Sequence, residues 1–143
     1  MATPNPLPPM AAEPPRVDES LLTYTNVIYA LHALAVIIGL SSAHTIIGSF
    51  IGGAPSIIAV IMNYVRRSAT IGTFLESHFR WQIRTFWFAL LWALVIGVVA
   101  VPLMLVIIGI PLFILGTYAL SIWIAYRVVR GWLALREKRP MYV

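Results

Sequence analysis

The charged residues of this 143-residue chain are confined to three short blocks. All ten basic and five acidic side chains lie within residues 13–19, 66–84 and 127–139. The intervening stretches Leu21–Val65 and Thr85–Tyr126 hold nothing ionisable except His32, His44 and tyrosines. Because a helix rises about 1.5 Å per residue, roughly 20 residues cross a hydrocarbon core of about 30 Å. Each stretch is about two crossings long, which predicts an integral membrane protein.

Composition agrees with this class: 60% of the residues are hydrophobic, 10% are charged and the mean hydropathy is +0.88. The net charge of +5 comes from cations that flank apolar spans, so membrane orientation explains it better than nucleic-acid binding, and no nucleic acid is predicted as a partner. The chain has no cysteine, which excludes disulfides, thiolate metal sites and cysteine nucleophiles.

The sequence divides into three segments. Residues 1–20, rich in proline, are predicted to be a disordered cytoplasmic tail, because proline removes backbone donors and few large apolar side chains are present. A PxxP ligand for an SH3-like partner is the alternative interpretation of this tail. Residues 21–135 form one membrane domain, and residues 136–143 form a basic cytoplasmic C-terminus. We expect the first span to remain uncleaved, because acidic residues precede it where a secretory signal needs a basic region.

The first apolar stretch predicts a helical hairpin with its turn at Leu40–His44, which gives spans at about residues 22–39 and 45–65. Gly48, Gly52, Gly53 and Pro55 predict a kink or a short break in the second span. The second stretch predicts spans at about residues 85–108 and 111–130, with Pro102 kinking the first of them. Its turn is placed at Gly109–Pro111, with Val101–Pro102 as the alternative.

Arginine and lysine occupy the central connection and the C-terminus, while both hairpin turns carry neither. Four spans put the tail, the central connection and the C-terminus on one side of the membrane, and the positive-inside rule predicts that this side is the cytoplasm. Trp81, Trp87, Trp132, Tyr64 and Tyr24 lie near these basic ends, where amphipathic rings favour the headgroup region.

The central segment, about residues 71–84, is predicted to be an amphipathic helix lying along the cytoplasmic surface. Its apolar positions Leu75, Phe79, Ile83 and Phe86 recur at helical spacing and are separate from the charged positions. Glu76 and Arg80 have the i, i+4 order that favours a surface ion pair worth a few tenths of a kcal/mol.

Three motifs carry a resemblance to a known family: Asn63–Arg67, Glu76–Trp87 and Arg127–Leu133. Over about residues 24–140 the chain resembles an uncharacterised bacterial family of small four-helix inner-membrane proteins, a domain of unknown function. That family is distantly grouped with a chloroplast inner-envelope protein-import subunit. The resemblance implies a four-span protein of the bacterial inner membrane, and it carries over no functional residue.

Several residues favour a structural interpretation over a chemical one. His32 lies inside the first span, either as part of a proton relay or, more simply, as a neutral histidine bonded to a neighbouring helix. Gly48 and Gly52 form a GxxxG motif that permits close packing within the monomer or homodimerisation. His32, His44 and His78 lack metal-ligand spacing, and Glu76, Ser77 and His78 are adjacent helix positions that point in different directions. No metal, cofactor or catalytic residue is predicted, and the chain is not expected to be an enzyme.

Two functions remain. The first is a non-enzymatic scaffold or assembly factor whose basic-aromatic cytoplasmic face binds anionic lipid headgroups or a membrane-protein partner. The second is an oligomeric channel or small transporter whose second span lines the pathway. The candidates for partner or lipid binding are Arg66, Arg67, Glu76, His78, Arg80, Trp81, Gln82, Arg84, Trp87, Arg127, Arg130 and Trp132. The candidates for helix packing or a pathway are His32, Gly48, Gly52, Gly53, Pro55 and Asn63.

Overall fold

A computed structural model describes residues 17–42 and 46–142 of the chain, with side chains described for residues 17–41 and 53–142. Its helices are α1 (Glu19–Ser42), α2 (Ile46–Val65), α3 (Phe74–Leu103) and α4 (Gly109–Arg136), with short 3-10 turns at Arg67–Thr70 and Met104–Val106. Over the described ranges there is no strand, and the predicted all-α fold class is confirmed.

Three helical segments are long and apolar enough to cross a membrane: Glu19–Ser41, Phe74–Val106 and Gly109–Arg136. The part of α2 with described side chains, Gly53–Val65, is a shorter apolar helix. These lengths and compositions indicate a membrane-embedded protein.

Asp18 caps the first helix. Its carbonyl oxygen accepts hydrogen bonds from the backbone N–H groups of Leu21 and Leu22, and its carboxylate accepts both the hydroxyl and the backbone N–H of Ser20. The side-chain hydrogen bond from Ser20, followed by the backbone one, holds the pKa of Asp18 below its usual value. The helix therefore begins before the predicted start at residue 22, because this cap satisfies donors of its first turn.

The predicted first turn is described only in part. Leu40–Ser42 belongs to α1, and residues 43–45 lie outside the described part of the chain, as does the tail through residue 16. The predicted disordered tail and the last two residues of the predicted Leu40–His44 turn therefore lie outside the described residues.

The surface helix predicted for residues 71–84 is not a separate element. Residues 74–84 are the first three turns of α3, which continues through Thr85 to Leu103. No glycine or proline lies between Phe74 and Trp87 to interrupt the backbone hydrogen bonds, so the helix has no reason to break where the charges end. The 30 residues of α3 extend about 45 Å, which exceeds the hydrocarbon thickness by about three turns.

The second turn lies at residues 104–108, so both predicted positions are wrong. Pro102 is within the last turn of α3, and Pro111 is within the first turn of α4, where its missing N–H has no helical partner to lose. Gly109 begins α4 directly against the end of α3. A Cβ there would overlap the backbone of Ala100, Leu103 and Met104, so only glycine fits this close approach.

The buried core lies at one end of the bundle. One cluster joins α1, α3 and α4 through Leu21, Tyr29, Leu75, Val128 and Leu135, and a second joins α1, α2 and α3 through Ile28, Ala59 and Phe79. The hydroxyl of Tyr24 in α1 donates to the carbonyl of Met62 near the end of α2 (2.9 Å). The start of α1 and the end of α2 therefore meet at the end that carries the basic residues.

Candidate functional site: the basic-aromatic end of the bundle

Tyr29 and His78 form a buried hydrogen-bonded chain between α1, α3 and the C-terminal segment. His78 Nε2 lies 2.8 Å from the carbonyl oxygen of Arg139, and His78 Nδ1 lies 2.9 Å from the Tyr29 hydroxyl. Since a carbonyl only accepts, Nε2 carries the hydrogen, and in the neutral ring Nδ1 accepts the Tyr29 proton. The Met141 N–H donates to Ser77 Oγ (2.9 Å), which fixes the C-terminal segment a second time.

The Tyr29 ring is enclosed by α4. It stacks on Trp132 with the ring planes 9° apart, and the Trp132 indole N–H donates to Asn26 Oδ1 (2.9 Å). A Cβ on Gly131 would lie 2.5 Å from the Tyr29 hydroxyl oxygen. Glycine is therefore required at position 131 for the ring to occupy this position.

Arg127 is held between α3 and α4 by aromatic rings. Its guanidinium carbon lies 3.6 Å from the centroid of Trp81 and 5.1 Å from that of Trp123. Its Nε donates to Thr85 Oγ1 (2.8 Å), while its own carbonyl accepts the Trp81 indole N–H (3.1 Å). Stacking and hydrogen bonding thus fix the position of this cation without a carboxylate from the described residues.

Two more arginines lie near Arg127. The guanidinium carbon of Arg130 lies 5.9 Å from the Trp81 centroid, and Arg84 and Arg130 are near enough to repel the charge of Arg127. The ion pairs that the structure describes are Arg80–Glu76 and Arg139–Glu137, and neither includes any of these three arginines. Arg84, Arg127 and Arg130, which we call the arginine triad, therefore form a local excess of positive charge.

Aromatic rings also meet cations where α1, α2 and α3 reach the same end. The Arg66 guanidinium lies 4.8 Å from the Tyr24 centroid, and the Trp87 indole N–H donates to the Tyr64 hydroxyl (3.1 Å). The predicted Glu76–Arg80 pair is confirmed at 3.0 Å, and Glu76 also accepts the Gly72 N–H.

The residues predicted to bind partner or lipid fall into three groups by exposure. The exposed ones are Arg66, Arg67, Arg80, Arg84, Trp87 and Arg130; the half-buried ones are Glu76, Arg127 and Trp132; the buried ones are His78, Trp81 and Gln82. His78 and Gln82 are only 0% and 1% exposed, so these two candidates do not lie on the surface that a partner or lipid could contact. They share the buried face of α3 with Leu75 and Phe79 at helical spacing.

The helix-packing candidates have different outcomes. His32 bridges α1 to α2, with its Nδ1 3.1 Å from Ser56 Oγ. This contact agrees with the simpler interpretation, a histidine bonded to a neighbouring helix. Asn63 is buried in α2, but its amide makes no hydrogen bond within the described residues. Pro55 lies inside α2 without ending it, and a Cβ on Gly53 would meet nothing within 4 Å. Gly48 and Gly52 belong to the part of α2 whose side-chain surroundings are not described.

Glu76, Ser77 and His78 point to separate partners. Ser77 Oγ donates to the Phe74 carbonyl, while His78 is committed to Tyr29 and Arg139. This geometry leaves no nucleophile–base contact between Ser77 and His78, in agreement with the different directions predicted for adjacent helix positions.

Sequence reasoning missed Tyr29, Asn26, Thr85 and Gly131. Each is an ordinary residue of an apolar helix until its partner on another helix is known. Gly131 carried the clearest available signal, because it separates Arg130 from Trp132 near the end of a helix that otherwise has bulky side chains there.

Comparison of the chain with protein-family models, with curated proteins and with solved structures finds no significant match.

Proposed function

We propose that this chain is a non-enzymatic scaffold of the bacterial inner membrane that binds anionic lipid headgroups through its basic-aromatic end. In this proposal all four helices cross the bilayer and both termini are cytoplasmic. Antiparallel contact between α1 and α2 supports four crossings, because Tyr24 and Met62 meet at the end where the arginines lie.

The arginine triad at the basic-aromatic end is the observation that carries the proposal. Arg127 is fixed by two indole rings and Thr85, so little side-chain entropy is lost when it meets a phosphate. Arg84 and Arg130 add charge beside it without a described carboxylate partner. Each cation near an anionic membrane surface contributes about 1 kcal/mol, which corresponds to roughly a fivefold preference.

Spin-labelled lipids test this selectivity. The protein is reconstituted with labelled phosphatidylglycerol or phosphatidylcholine, and electron paramagnetic resonance measures the fraction of each lipid immobilised on it. We expect Arg84→Gln to reduce the phosphatidylglycerol preference about fivefold at low salt, with a smaller effect at high salt.

A matched variant separates local from general electrostatics. The double substitution Glu76→Gln with Arg80→Gln removes an ion pair on the same helix without altering the net charge. The phosphatidylglycerol preference should then change much less than in Arg84→Gln, because the two removed charges cancel. Equal preferences for Arg84→Gln and the unaltered protein, both folded, would count against headgroup binding at this face.

An oligomeric channel is the alternative, with α2 lining the pathway. The open space at Gly53 allows that position to face either lipid or a pathway. Solute or ion flux in liposomes that responds to Gly53→Leu would favour the channel over the scaffold.

A further inference from the structure

A groove of about 780 Å³ lies between the outer face of α4 and the C-terminal segment. Ile122, Val129 and Leu133 form its apolar wall, and Pro140 and Met141 contribute to the opposite side. Its volume is within the range of sites that bind small molecules. The C-terminal side is fixed in place, since Arg139 and Met141 are hydrogen-bonded to His78 and Ser77.

The charge of the groove lining is uneven. Glu137 and Arg139 are ion-paired with each other, whereas Arg130 contacts the Tyr126 hydroxyl through a single Nη1–H (3.0 Å). A guanidinium has five N–H donors, so Arg130 retains donors for a phosphate oxygen. The lining therefore presents one uncompensated positive charge above an apolar wall.

The apolar and charged parts of the groove lie at different depths in the proposed membrane. Ile122 lies in the uncharged stretch, and Arg130 lies eight residues later on α4, about 12 Å along the axis. A ligand that fills the groove therefore needs an apolar tail toward Ile122 and an anionic group at Arg130. A second copy docked by twofold symmetry would instead bring Arg130 toward another Arg130, which is electrostatically unfavourable.

We propose that the groove binds one anionic phospholipid, with its phosphate against Arg130 and an acyl chain that runs along Val129 toward Ile122. This inference rests on the proposed function and assigns to it a particular lipid site, in a groove whose lining does not include Trp81.

Native mass spectrometry tests the site, using the full chain released from nanodiscs of phosphatidylglycerol and phosphatidylcholine in equal amounts. Val129→Trp fills the groove from an outward-facing position, and Leu115→Trp places the same ring on an exposed position of α4 outside the groove lining. We expect one retained phosphatidylglycerol on the unaltered protein and on Leu115→Trp. Val129→Trp and, independently, Arg130→Gln should lower its occupancy at least fivefold.

Three results would overturn the groove site. Equal retention by Val129→Trp and the unaltered protein excludes an acyl chain at this wall. Equal loss from both tryptophan variants makes the effect non-specific, and a dimer dissociated only by Val129→Trp identifies the groove as a self-interface. If Val129→Trp does not fold, Arg130→Gln decides alone, and unchanged retention overturns the proposal.

Failure of the groove is distinguishable from failure of the proposed function. Arg84→Gln lies outside the groove lining and should reduce the spin-label preference while one phosphatidylglycerol remains bound. If Arg84→Gln has this effect but Val129→Trp retains its lipid, headgroup binding stands and the groove does not. If instead Arg84→Gln leaves the spin-label preference unchanged and Val129→Trp loses its lipid, the groove site stands and headgroup binding by the arginine triad does not.

Discussion

Tyr29 connects three parts of the bundle through a single side chain. Its hydroxyl donates to His78 on α3, and its ring packs against Gly131 and Trp132 on α4. We expect Tyr29→Phe to lower the free energy of unfolding by about 1–3 kcal/mol, because His78 Nδ1 is then buried without its donor. Chemical unfolding in mixed micelles measures the loss, with Tyr118→Phe, at an exposed position, as the control.

The same hydrogen bonds predict the tautomer of His78. Its ¹⁵N chemical shifts should show hydrogen on Nε2, because the Arg139 carbonyl can only accept. A shift pattern with hydrogen on Nδ1, or an unchanged unfolding free energy for Tyr29→Phe, would contradict the buried chain.

Gly131 can be tested by adding one methyl group. In Gly131→Ala the new Cβ would lie 2.5 Å from the Tyr29 hydroxyl oxygen and 2.8 Å from Cε1, so the rigid ring must move. We expect a loss of about 1–3 kcal/mol in unfolding free energy from overpacking. Gly97→Ala meets nothing within 4 Å and should be neutral or stabilising, because alanine favours helix over glycine. Similar effects of the two substitutions would argue against the close contact.

The turn that connects helices α3 and α4 contains an unusual backbone conformation. Ile107 has a φ of 68°, where a β-branched residue is strained, while its neighbour Ile108 has an ordinary helical φ of −62°. We expect Ile107→Gly to raise the free energy of unfolding relative to Ile108→Gly by about 1 kcal/mol. Both side chains are exposed, so the comparison cancels most of the lost apolar surface. A lower stability for Ile107→Gly would show that the turn has another conformation.

Helix content was predictable from the sequence, but the ends of the helices were not. Two uncharged stretches require helices in a membrane, because each backbone polar group must be satisfied internally. The second turn was misplaced because Pro102, Gly109 and Pro111 are all candidate breakers, and the prolines are compatible with terminal helical turns.

The candidate site was predictable only in part. Charge placement identified the basic end and its exposed arginines, since those residues interrupt otherwise apolar sequence. It did not separate exposed Arg84 from buried Gln82, two positions earlier on the same helix. Which face of α3 is covered depends on α1, α2 and α4, whose contacts a local pattern does not specify.

Over the whole molecule, burial and charge are concentrated at the same end. The outer parts of α3 and α4 expose apolar side chains such as Leu94, Val98 and Leu115, while the buried polar contacts lie beside the arginines. Lipid tails can cover the exposed apolar side chains, and headgroups can meet the arginines. This division gives the scaffold proposal a definite direction across the bilayer.

Single cysteines test that direction, since the chain has none of its own. We introduce Glu19→Cys, Ser68→Cys, Arg136→Cys and Ile108→Cys, all at exposed positions, and label intact cells with a membrane-impermeant maleimide. If all four helices cross, the first three cysteines react only after lysis, whereas Ile108→Cys reacts in intact cells with a permeabilised outer membrane. If α2 does not cross, Glu19→Cys and Ser68→Cys must lie on opposite sides. That result would contradict both the four-span topology and the meeting of Tyr24 with Met62, because the two ends of the α1–α2 pair could not then share one face of the membrane.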